Sequence, residues 1–174
     1  MADSSEQKAA STGGHKIPHE EIHTYLCVVD QSEELHQALR YACNRAKFTG
    51  GRVALLYVIE PTEFNHWMAV GDLMREERRQ EAEEMLQVVS NTAQQRTGIM
   101  PTIHIREGQV LDELLSLIRD KDAGISILVL GAATGSSGPG PLVSALTQKM
   151  AGKVHIPIAI VPGAMTDEEI DAIT

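Results

Sequence analysis

Apolar and polar positions fall in alternating blocks along the chain. Leu26-Cys27-Val28-Val29 is a short unbroken apolar run, followed by the polar triplet Asp30-Gln31-Ser32. Leu35, Ala38, Leu39, Ala42, Cys43 and Ala46 then recur at the three-and-four spacing of an amphipathic helix. Ser32 suits the helix N-cap, Glu33 and Glu34 fall in the first turn where the helix dipole favours acids, and Gly50-Gly51 supplies the stop. Val53 to Ile59 is a second apolar run, with Pro61 just beyond it. Two such strands joined by a helix predict a βαβ unit, because parallel neighbours need a crossover. Unbroken rather than alternating strands predict a sheet covered on both faces.

The segment 62–71 reads as a loop carrying Phe64, His66, Trp67 and Met68. A long helix is predicted from about Asp72 to Thr97, charged from Arg75 to Glu84, with Met85, Leu86, Val88, Val89 and Ala93 as a later apolar stripe. Thr102 to Arg106 alternates, which predicts a half-exposed strand near an edge. Val110, Leu111, Leu114, Leu115 and Ile118 define another helix, and Ile125 to Leu130 another buried strand. A Gly-rich loop over 131–141, a short helix through Leu142, Ala145, Leu146 and Met150, and a last strand over 155–161 complete the pattern. Pro157 cannot donate to a ladder, so that strand belongs at a sheet edge. The order βαβαβαβαβ predicts one doubly wound, five-stranded parallel α/β domain over residues 23–163. Residues 1–22 read as a disordered polar tail, and 164–174 as an acidic tail with at most a helical turn.

Composition narrows the partners. The 174 residues carry 15 Lys and Arg against 24 Asp and Glu, a net charge of −9. That balance, with aromatics at 3%, argues against a nucleic-acid binder, which needs clustered cations and stacking platforms. Cys27 and Cys43 are too few for a disulfide framework or a four-cysteine metal site, and both fall inside apolar patterns. No stretch approaches the roughly 20 apolar residues of a membrane helix, and no signal-peptide layout is present, so the expectation is a cytoplasmic protein with no membrane partner. His15, His19 and His23, spaced by four, would share one helical face and could take a metal, but Pro18 interrupts that helix and favours a solvated tail.

In a doubly wound sheet the ligand crevice lies beyond the carboxyl ends of the strands, where the strand order reverses. Asp30 and Ser32 follow the first strand. Gly131 to Gly140, rich in Gly, Ser and Thr and including Thr134 and Gly135, follow the fourth. A loop of that composition opening onto a helix suits phosphate, or equally a flexible linker with two Gly-Pro turns. No Walker loop, Rossmann glycine fingerprint, nucleophile elbow or metalloprotease motif is present, so no nucleophile–base pair stands out and no enzyme is expected.

Five short motifs in order carry a family resemblance. They are Val28-Val29-Asp30-Gln31-Ser32, Leu56-Tyr57-Val58-Ile59-Glu60-Pro61, Arg106-Glu107-Gly108, Leu130-Gly131, and Ile156-Pro157-Ile158-Ala159-Ile160-Val161. Over about residues 22–163 the chain resembles the universal stress protein family. The resemblance implies strand order 3-2-1-4-5, the adenine nucleotide alpha hydrolase-like arrangement. It also implies a homodimer through the edge strand 155–161 and a stress-response role without clear catalysis. Nucleotide-binding members hold ATP through Gly-x-x-Gly, nine residues, then Gly followed by Ser or Thr, while the aspartate after strand one and a strand-two residue contact adenine or ribose. By that resemblance Asp30 matches the aspartate, Val58 approximately matches the strand-two position, and Gly131 matches the first glycine. Thr134 stands in place of the second glycine, Ser144 of the third, and Ala145 of the hydroxyl residue.

Thr134 adds bulk and Ala145 removes a donor, although Gly135 and the Ser144 hydroxyl lie near. Losing two or three contacts of about 1–2 kcal/mol each weakens affinity by roughly 10²- to 10⁴-fold. The expectation is a stress-response module with weak or altered binding of ATP or another adenine nucleotide. The alternatives are a dimeric interaction module without nucleotide, or a slow ATP hydrolase.

Overall fold

The computed structural model describes residues 22–61, 68–136, 138–149 and 152–174. Along them run β1 (Thr24–Val28), α1 (Leu35–Thr49), β2 (Arg52–Ile59), α2 (Met68–Thr97), β3 (Thr102–Glu107), α3 (Val110–Arg119), β4 (Ile127–Ala132), α4 (Pro141–Lys149), β5 (Ile158–Pro162) and α5 (Asp167–Ile173). The strands form one five-stranded sheet in the order β3-β2-β1-β4-β5. Every pairing is parallel, with Cys27 opposite Leu55 on one side and Val129 on the other.

β1 reads as uniformly apolar because both its faces are covered. Tyr25, Cys27, Leu55 and Val129 pack beneath α1 and α2, while Leu26, Leu56, Leu128 and Leu130 pack against α3 and α4. β3 occupies an edge as predicted, but its alternation does not sort apolar side chains inward: Ile103 and Ile105 are exposed, while His104 and Arg106 are half-buried. From residue 73 on, the buried residues of α2 are Ala82, Leu86, Val89, Ser90 and Ala93, and the charged stretch before them faces solvent. This helix starts at Met68 rather than Asp72, so it takes in the end of the predicted loop. Phe64, His66, Trp67, His15 and His19 lie outside the described residues, as do Ser137 and Met150.

Two further local expectations change. Ser32 does not cap α1: Glu34 holds the N-cap position with helical dihedrals and no side-chain hydrogen bond. Ser32 is captured by the nearer Asp30 carboxylate, to which its hydroxyl donates at 2.5 Å and its backbone N–H at 3.0 Å. The last strand begins at Ile158 rather than 155, leaving Pro157 ahead of it. Pro157 contributes the one backbone group it has, its carbonyl accepting from Leu128 N–H at 3.0 Å.

The largest change concerns the acidic C-terminal segment, which is not a tail. Thr166 caps α5 through a reciprocal capping box with Glu169. Ile170 is fully buried in the core under α1. Arg40 on α1 pairs with both Asp167 and Asp171, Asn44 donates to Asp171 at 2.7 Å, and His36 meets Asp167 at 2.9 Å. The hydrogen bond from Arg40, reinforced by Asn44, draws the Asp171 carboxyl down to about 2. The domain therefore extends through α5, past the predicted boundary at residue 163.

Candidate functional site

The strand order reverses between β1 and β4. From β1 the chain enters α1 on one face of the sheet, and from β4 it reaches α4 on the other, so their carboxyl ends part around a cleft of about 220 Å³. Asp30, Ser32 and Gly131 all line it, as the strand ends predicted. Thr134 and Gly135 are exposed in the loop, and Ser144 and Ala145 lie half-buried on α4; none of these four lines the cleft. Val58 is not there either. It belongs to a separate 440 Å³ depression with Tyr57, Glu60, Arg78 and Glu81, and pairs in register with Arg106 of β3.

Glu34, together with Pro139 to Val143, supplies wall that the motif comparison missed. A Cβ on Gly131 would lie 2.5 Å from the Glu34 carbonyl oxygen and 2.6 Å from its Cβ. A Cβ on Gly163 would lie 2.5 Å from Glu34 Cγ. The missing side chain at Gly131 is thus required by the close approach of α1 to the end of β4. Glu34 lies one helical turn before buried Ala38, a spacing that aims it at the sheet and could have flagged it.

The rest of the wall is poor in donors. Pro139 and Pro141 have no N–H, and the Ser144 N–H donates to the Gly140 carbonyl at 3.0 Å. At the start of α4 this leaves the Leu142 and Val143 amides open. Gly138 and Gly140 adopt left-handed backbone, φ 86° and 96°, which reserves these two turn positions for glycine. Asp30 Oδ1 is engaged by Ser32, and Oδ2 remains for another donor. Cys27 and Cys43 play no part in chemistry here. Both are buried, and burial raises both thiols, Cys43 to about 11, so neither is a thiolate nucleophile near neutrality. Among the described residues no cluster of His, Cys, Asp and Glu could hold a metal ion, and no helix is long and apolar enough to cross a membrane.

The sequence matches the model of the Universal stress protein family over residues 21–162. The chain belongs to the universal stress protein family. Universal stress protein UspA from Lactobacillus plantarum superposes with a TM-score of 0.67 at 16% identity, covering 81% of this chain and 98% of that one. The universal stress protein from Archaeoglobus fulgidus in complex with dAMP gives 0.56 at 15% identity, covering 80% and 97%. A universal stress protein in complex with cAMP gives 0.56 at 13% identity, covering 83% and 99%. No curated protein matches the sequence. The five motifs read along the chain therefore do mark a universal stress protein, with that family's sheet.

Proposed function

We propose that this universal stress protein is a cytoplasmic, dimeric binding module that takes an adenine ligand weakly in the cleft beside Asp30, without turning it over. The observation that carries the reading is the meeting of Asp30, Ser32 and Gly131 in one cleft where the strand order reverses. Relatives of the same fold in complex with dAMP and cAMP support an adenine ligand. A binding role rather than catalysis is supported by the lining, which among the described residues contains no Lys or Arg to stabilise charge developing on a transferring phosphoryl group.

Calorimetric titration with AMP tests this. Binding in the high-micromolar to millimolar range is expected, weakened about tenfold or more by Asp30→Ala, since a hydrogen bond to a charged group is worth about 1.5–3 kcal/mol. No heat at millimolar AMP would refute the reading.

Assembly rests on β5. It lies at a sheet edge with Ile158 and Ala159 half-buried and Ile160 40% exposed, an apolar edge with unpaired backbone groups. Pairing with a second copy covers it. Sedimentation at micromolar concentration should show a dimer that Ile160→Lys converts to monomer; a monomeric wild type contradicts the assignment.

A further inference from the structure

We infer that the cleft discriminates against phosphate charge, taking adenosine ahead of AMP, ADP and ATP, and that Glu34 sets this order. The inference rests on the reading that the cleft takes an adenine ligand at all. Its starting point is the charge of the wall. Asp30 and Glu34 both line the cleft, and among the described residues no Lys, Arg or His does. Neither carboxylate has an ion pair among the described residues, so the open Leu142 and Val143 amides are left to offset the repulsion an incoming phosphate meets.

Glu34 is also anchored. Its backbone and Cβ press on Gly131 and its Cγ on Gly163, so the stem of the side chain is wedged between the ends of β4 and β5. The pinned stem, at the N-cap of α1, limits how far the carboxylate can move from the cleft wall.

The donors that would repay a phosphate are depleted on the opposite wall. Pro139 and Pro141 replace two amides, and Ser144 N–H is committed to Gly140. Thr134, Ser144 and Ala145, the three departures from the nucleotide pattern, lie outside the cleft. The two prolines and the committed Ser144 amide bear on the phosphate end. The Asp30 end, whose free Oδ2 accepts from a sugar hydroxyl or an exocyclic amine, is intact. At about 220 Å³ the cleft is below the roughly 300–1,000 Å³ of typical ligand pockets, which suits the nucleoside better than a triphosphate.

The experiment is calorimetry of the full chain and of Glu34→Gln with adenosine, AMP, ADP and ATP, each with EDTA and with Mg²⁺. The amide keeps the wedged stem and removes only the charge. For wild type we expect affinity to fall in the order adenosine, AMP, ADP, ATP, with about tenfold or more between the ends and a smaller gap at high salt. Glu34→Gln should tighten ATP several-fold and leave adenosine within about twofold. ATP binding as well as adenosine overturns the inference and leaves the adenine reading standing. ATP binding tightly only with Mg²⁺ also overturns it, because the two acids would then be holding a cation. An unchanged ATP-to-adenosine ratio in Glu34→Gln removes Glu34 from its role. Absence of binding by all four ligands refutes both readings together.

Discussion

Ile170→Ala should destabilise the protein by about 3 kcal/mol, within the 2–5 kcal/mol typical of truncating a fully buried Ile. Ile170 is fully buried beneath α1, in the same core as Leu39, Cys43 and Val161. Cutting it to Ala removes apolar burial and leaves a cavity in that core. For a chain of this length the expected drop in melting temperature is roughly 10 °C, read by circular dichroism. Glu168→Ala serves as the control. Glu168 is exposed on the same helix, and its loss should stay within about 0.5 kcal/mol. Equal melting temperatures for wild type and Ile170→Ala would mean that α5 is undocked in solution. The Arg40 pairs with Asp167 and Asp171 add orientation more than energy, because both acids are largely open to water.

Gly131→Ala should cost about 2–3 kcal/mol, close to the upper end of overpacking penalties. The new methyl group would sit 2.5 Å from a backbone oxygen of Glu34, and a backbone atom cannot rotate aside as a side-chain tip can. Relief requires the start of α1 to lift from the sheet, which moves Glu34 and Leu35 in the cleft wall. Loss of thermal stability together with weaker AMP binding is therefore expected from one substitution. Gly135→Ala is the matching control, since a Cβ there meets nothing within 4 Å and its backbone is not left-handed. If both variants melt at the wild-type temperature, the approach of α1 to β4 is looser than described.

Much of the architecture was legible because the buried strands are unbroken apolar runs between glycine and proline signals. Leu26 to Val29, Val53 to Ile59 and Ile125 to Leu130 announced three central strands, and the alternation of Thr102 to Arg106 announced an edge. The strand order came from the motif resemblance, since periodicity alone says nothing about which strands are neighbours. α5 escaped because one buried isoleucine among acids looks like a solvated tail, although Thr166 and Glu169 spelled out a capping box. Ser32 was misplaced as a cap because its hydroxyl donates to the neighbouring Asp30 carboxylate instead of accepting from an amide of α1.

The site divides in the same way. Asp30, Ser32 and Gly131 follow directly from where strands end. Thr134, Ser144, Ala145 and Val58 were transferred by the family's spacing, and Gly135 was read from the loop after the fourth strand; none lines the cleft, whose wall runs instead through Pro139 and Pro141. Glu34 enters through the tertiary approach of α1 to β4, for which the one local signal was its spacing of a helical turn from Ala38.

The placement of β1 in the middle of the sheet has a consequence for how the protein is made. β1 is the first strand to leave the ribosome, yet its neighbour β4 is translated after three helices and two further strands have emerged. Until residues 127–132 clear the exit tunnel, the apolar edge of Leu26 and Cys27 has a partner on one flank and none on the other. Long-range parallel pairing of this kind forms slowly. The nascent chain is therefore most exposed to chaperone capture or to misassociation at its own centre, well before its surface is complete.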